Sequence, residues 1–79
     1  MAETGDAILL DARGLLCPLP VLKARKLLKG LAPGGVLRVL ATDPGAPKDF
    51  EHFCATTGII LIAQDDREDH VEITLRQPG

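Results

Sequence analysis

Cys17 is followed by Pro18, Leu19 and Pro20 and then by an unbroken helical pattern, which places a thiol where a helix begins. The positive end of a helix, roughly half an elementary charge, favours a thiolate and lowers a cysteine pKa below its free value of about 8.5. The spacing predicts Cys17 as the N-cap, Pro18 as the first helical residue and Pro20 as the third. Neither proline would then lose a hydrogen bond, because the opening N–H groups of a helix lack intrahelical partners. The N–H groups of Leu19 and Val21 would face the sulfur, and the rigid prolines would set the angle at which it leaves the surface. The chemistry expected is that of an exposed sulfur nucleophile. Arg13 and Lys23 are the cations expected to help stabilise its anion.

The other residues of chemical interest read differently. Cys54 shares an apolar helix face with Phe50 and Phe53, as a small core hydrophobe does. His52 and His70 lack metal-ligand spacing with either cysteine, so no metal site is expected. Asp43 opens an Asp43-Pro44-Gly45 turn, a position aspartate favours through its side-chain hydrogen bonds, with an accessory contact near Cys17 as the alternative. There is no Ser-His-Asp set, no glycine-rich phosphate loop and no carboxylate pair in a catalytic context, and no cofactor is expected.

Short elements must position Cys17. Ile8 to Leu10 is a first strand, and Gly14 breaks the pattern before the Cys-Pro segment. The helix from Pro18 runs to about Lys29 and stops at Gly30, with Pro33, Gly34 and Gly35 beyond. Val36 to Ala41 is a second strand. A second helix starts near Ala46 or Pro47, with Phe50, Phe53, Cys54 and Thr57 on one face and Gly58 as its cap. Ile59 to Ala63 is a continuous apolar strand. His70 to Arg76 alternates, with Val71, Ile73 and Leu75 on one side and Glu72, Thr74 and Arg76 on the wet side. The acidic run Asp65, Asp66, Glu68 and Asp69 between them is expected to be a solvated turn. The order β-α-β-α-β-β implies an α+β two-layer sandwich, a mixed four-stranded sheet with both helices on one face.

Seventy-nine residues form one domain, 1–79, with a thin core. Two cysteines so far apart make neither a disulfide framework nor a four-ligand zinc pattern, so a reducing cytoplasm is the expected compartment. No apolar run approaches the length of a membrane span, and a soluble monomer is expected. The net charge of −2 conceals an asymmetry: from Arg13 to Arg38 there are six basic residues and no acidic one. On the first helix Val21, Ala24, Leu27, Leu28 and Leu31 form an apolar stripe, while Lys23, Arg25, Lys26 and Lys29 lie elsewhere. Leu19 and Leu22 fall outside the stripe. A small apolar patch ringed by positive charge should therefore flank the thiol and suit a protein partner.

The segment from Leu10 to Lys23, LDARGLLCPLPVLK, closely resembles the signature of the TusA/SirA-like sulfur-carrier family, whose hallmark is Cys-Pro-x-Pro. A second block agrees: Ala41-Thr42-Asp43-Pro44-Gly45, then Asp49-Phe50 and Phe53-Cys54 before Gly58. The resemblance implies a two-layer fold similar to the C-terminal domain of a bacterial translation initiation factor, with the last strand antiparallel to its neighbours. It implies that Cys17 accepts sulfane sulfur as a persulfide and that Gly14, Pro18 and Pro20 orient it. It also implies a cysteine desulfurase or rhodanese-like donor and a downstream acceptor protein in transfer RNA thiolation, molybdenum cofactor supply or sulfur oxidation. In one respect the chain departs from its relatives. They often carry His or Asn after the glycine that ends the second helix, where this chain has Ile59.

The expected function is thus a sulfurtransferase-type relay, a carrier more than an enzyme with its own turnover. Arg13, Leu19, Leu22, Lys23, Arg25, Lys26 and Lys29 form its partner-binding surface. The alternative is a redox-sensing regulatory or RNA- or protein-binding module that uses the basic face of the first helix. With no Tyr or Trp and a negative net charge, the composition argues against a base-stacking nucleic-acid platform. Pro20 stands where a thioredoxin-like motif would place its second thiol.

Overall fold

The structure is a computed structural model that describes residues 7–78; residues 1–6 and 79 of the expected single domain lie outside the described residues. Its elements are β1 (Ile8–Ala12), α1 (Leu19–Lys29), β2 (Val36–Ala41), α2 (Ala46–Thr57), β3 (Ile60–Asp66) and β4 (Val71–Arg76). They form one sheet in the order β1-β2-β4-β3. β1 and β2 are parallel, and β4 runs antiparallel to β2 on one side and β3 on the other. This is the expected mixed α+β sandwich. Each helix follows a strand of the parallel set, so α1 and α2 both begin at the same end of the sheet, where β1 and β2 finish.

One apolar layer joins the helices to the sheet. Ala24 and Leu28 of α1 and Phe50, Phe53 and Cys54 of α2 are buried with Leu37, Val39, Ala41, Ile73 and Leu75. The two phenylalanine rings meet edge to face at 6.4 Å, a favoured aromatic geometry. Alternation along β2 and β4 supplies the sheet side of this core, as the sequence pattern requires. On the opposite face Glu72 is buried beneath two arginines, with Arg38 Nε at 2.6 Å and Arg67 Nη2 at 3.3 Å. The wet side of β4 therefore carries a covered ion pair at its centre.

Several boundaries differ from the sequence expectation. α1 begins at Leu19, with Pro18 as its N-cap and Pro20 fully buried beneath the first turn. β1 continues through Asp11 and Ala12, because β2 offers them pairing partners in Leu40 and Ala41. Asp65 and Asp66 belong to β3, not to a turn, for the same reason: they pair with Glu72 and Val71. β3 starts at Ile60 and β4 at Val71, each one residue later than expected. A register shift between Leu61 and Ala63 turns Gln64 toward α2, where its Nε2 donates to the Pro47 carbonyl at 2.9 Å. Leu27 is 37% exposed and lies at the rim of the α1 stripe beside Leu10, because the buried ridge runs through Pro20, Ala24 and Leu28. Thr57 is exposed and donates its hydroxyl to the Phe53 carbonyl at 2.7 Å. No described helix is long and apolar enough to cross a membrane.

Candidate functional site

Cys17 lies on the loop between β1 and α1, exposed, at the sheet end where both helices begin. Gly14 makes the turn out of β1 with φ of +82°, a left-handed conformation that a side chain would strain. Its N–H donates to Thr42 Oγ1 at 2.9 Å, which ties the loop to the end of β2. The Cys17–Pro18 peptide is cis, and the Leu19 N–H donates to the Leu16 carbonyl at 2.9 Å.

That last bond corrects the expected capping. α1 starts one residue later than the spacing suggests, and Leu19 directs its N–H to a carbonyl instead of the sulfur. Pro18 replaces Cys17 as N-cap and makes no side-chain capping bond. The Cys17 thiol instead donates to Asp49 Oδ2 on the first turn of α2. The Asp49 carboxylate at this bond, with partial desolvation and the charge of Asp43 behind it, pushes the Cys17 thiol up to about 11. An anion beside a forming thiolate opposes ionisation, so the resting site holds a thiol where a stabilised thiolate was expected.

Arg13 does not supply the missing positive charge. Its guanidinium grips Asp11 with Nε and Nη2, both at 2.9 Å, and holds the Asp11 carboxyl down to about 2. Asp43 shapes the turn through its backbone, where side-chain hydrogen bonds were expected, and makes no described hydrogen bond to Cys17. Its carbonyl accepts the Ala46 N–H at 3.0 Å to close the turn, and its charge acts on Cys17.

A shallow groove between the helices adjoins the sulfur, lined by Cys17, Val21, Asp49, His52, Phe53 and Thr56. Along α1, Arg25 and Lys29 border a neighbouring hollow with Phe53, Thr57 and Ile59. Lys23 and Lys26 lie on the other flank, beside Leu10 and Leu27. The expected basic side is therefore two flanks, and neither meets a described acidic residue in an ion pair. Leu19 and Leu22 are exposed as expected, at 44% and 51%, and Leu16, which the helical pattern could not reveal, is 70% exposed. Ile59 packs against the core and contributes no polar group at its position. Cys54 is buried, and burial pushes its thiol up. Among the described residues no cluster of three or more His, Cys, Asp or Glu could hold a metal ion.

Asp49 and His52 are the site residues missed from sequence. The only signal for Asp49 was its place in the second family-like block, which does not say what it faces.

Comparison with known proteins agrees with this architecture. The SirA-like protein of Desulfitobacterium hafniense superposes with a TM-score of 0.81 and 27% identity, over 91% of this chain and 99% of that one. The sulfur carrier protein TusA of Pseudomonas aeruginosa is 46% identical over 66 residues, 84% of this chain and 82% of its own. That of Allochromatium vinosum is 57% identical over 49 residues, 62% of this chain and 64% of its own. The family model described as Sulfurtransferase TusA matches residues 8–77, almost the full length, and on this ground the chain belongs to the TusA family.

Proposed function

We propose that this chain is a sulfur carrier that receives sulfane sulfur on Cys17 as a persulfide and passes it to a downstream acceptor protein. The observation that supports this most is an exposed thiol beside an open groove, held by a short loop in a chain similar in sequence to proteins named sulfur carriers. In loading, Cys17 Sγ attacks the terminal sulfur of a donor persulfide on a desulfurase or rhodanese-like protein. The new Sγ–S bond forms as the donor's S–S bond breaks, and the donor sulfur leaves as a thiolate that takes up the proton Cys17 gave. In unloading an acceptor thiolate attacks the terminal sulfur, and Cys17 recovers a proton. No external oxidant or reductant enters either step. The acceptor belongs to transfer RNA thiolation, molybdenum cofactor supply or a sulfur oxidation relay.

Gly14, Pro18 and Pro20 serve to present the sulfur, and Asp43 adjusts its charge surroundings. Leu19 and Leu22, with the exposed cations Lys23, Arg25, Lys26 and Lys29, form the docking surface. Arg13 acts on its rim through its pair with Asp11. Both cysteines are free thiols, which suits a reducing compartment such as the cytoplasm. Intact mass after incubation with a cysteine desulfurase and cysteine tests the assignment. A gain of one sulfur on the parent and none on Cys17→Ser is expected, and uptake by Cys17→Ser would remove Cys17 as the carrier.

A further inference from the structure

The charges close to Cys17 Sγ have the opposite sign to those along α1. Asp49 accepts the hydrogen bond that the thiol donates, and Asp43 adds a second negative charge from the β2–α2 turn. The exposed cations of α1 lie on two flanks that border other hollows. The groove next to the sulfur is apolar along Val21 and Phe53 and carries Asp49 and His52 on its α2 side. A partner that brings only an acidic surface would bury Asp49 against like charge, and desolvated like charges are strongly disfavoured.

We propose that the sulfur partner carries a basic side chain, an arginine or lysine, next to its own reactive cysteine, and that this cation pairs with Asp49 in the groove between α1 and α2. This rests on the carrier reading above and identifies the chemistry of the partner it requires. Pairing withdraws the Asp49 carboxylate from the thiol and places a positive charge beside the sulfur, so Cys17 becomes a nucleophile only in the docked complex. The atoms balance as before: Sγ bonds the partner's terminal sulfur, the partner's S–S bond breaks, and its thiolate takes the proton that Cys17 releases through solvent. Away from its partner the exposed thiol stays protonated and slow toward adventitious electrophiles. Recognition then combines two signs, a local cation at the sulfur and an acidic surround for α1, and a partner with only one of them is rejected.

A matched series of short peptides tests this. Each carries one cysteine activated as a mixed disulfide with thionitrobenzoate, and they differ only in having Arg, Ala or Glu beside that cysteine. Release of the coloured anion reports attack by Cys17, with Cys54→Ser as background so that a single thiol reacts. The Arg peptide is expected to react about tenfold faster than the Glu peptide, with Ala between them. In Asp49→Asn all three should react faster and within about twofold of one another. The parent ratio stands as evidence by itself should the Asn variant fail to fold. Equal rates in the parent, a faster Glu peptide, or an Arg preference that survives in folded Asp49→Asn would overturn the proposal. Sulfur uptake is followed separately by mass: a parent that takes up sulfur without charge preference sinks only this inference, and one that prefers the Arg peptide yet never takes up sulfur sinks only the carrier reading.

Discussion

The Cys17 thiol, just ahead of α1, donates a hydrogen bond to the Asp49 carboxylate on the first turn of α2, across 32 positions of sequence. Topology makes the meeting possible. β1 and β2 run parallel, so the helices that follow them start at one end of the sheet and bring their first turns together. Asp49 is itself well placed near the positive end of α2, where a carboxylate is favoured. The same bond sets the state of the sulfur, since a carboxylate that accepts a hydrogen bond from the thiol stabilises the thiol and opposes the thiolate.

The pH profile of Cys17 alkylation should show this directly. With iodoacetamide the rate is expected to rise through an inflection near 11 in the parent. Asp49→Asn should bring the inflection down toward about 8.5, with at least about tenfold faster alkylation at neutral pH. Because the fold holds the proton more tightly than the unfolded chain, the contribution of Cys17 to stability is present below about 9 and is lost as pH rises toward 11. Site-resolved mass spectrometry measures the rates, and a parent inflection at or below 8.5 would contradict the geometry.

The two cysteines should separate chemistry from stability. Cys17→Ser is expected to abolish sulfur uptake while melting close to the parent, because the side chain is exposed and caps no helix. Cys54→Ser places a hydroxyl in the core beside Phe50 and Phe53 and should lower stability by about 1–3 kcal/mol while uptake persists. Denaturant unfolding and intact mass on the same samples check both.

Glu72 should govern the acid limb of stability. Its two arginine partners, chiefly Arg38, hold its carboxyl below the usual glutamate range. A carboxyl depressed in the folded state adds stability above its unfolded pKa and loses it as pH falls through the folded value. Glu72→Gln should therefore melt below the parent at neutral pH, with the difference shrinking as pH drops below the usual glutamate range. Calorimetry across that range would refute this if the gap stayed constant.

Paired charge reversals should distinguish the flanks of α1. Arg25 and Lys29 border the hollow next to the Cys17 groove, the two meeting at Phe53, whereas Lys23 and Lys26 sit beside Leu10 and Leu27. Arg25→Glu with Lys29→Glu is expected to slow uptake from a protein donor more than Lys23→Glu with Lys26→Glu. Both should leave alkylation by a neutral reagent near the parental rate, because that reaction needs no docking. The donor-dependent defect should deepen at low ionic strength and fade as salt shortens the screening length to about 8 Å.

The sequence by itself determined the elements and which of the two thiols stays at the surface. Phe50, Phe53 and Cys54 recur at helical spacing, Val71 to Leu75 alternate, and Gly30 and Gly58 end the helices; these signals are local, and the structure follows them. It also marked Cys17 as the exposed thiol and Leu19 and Leu22 as uncovered. Only the tertiary structure decided what surrounds the sulfur. It moved the start of α1 to Leu19, occupied Arg13 with Asp11, divided the cations of α1 between two flanks and set Asp49 against the thiol. Periodicity reports which face of an element is apolar, and turn residues report where it stops. Neither reports which polar group of one helix meets a side chain ahead of another, because sheet register and helix packing fix that, and the sign of the shift at Cys17 depends on it.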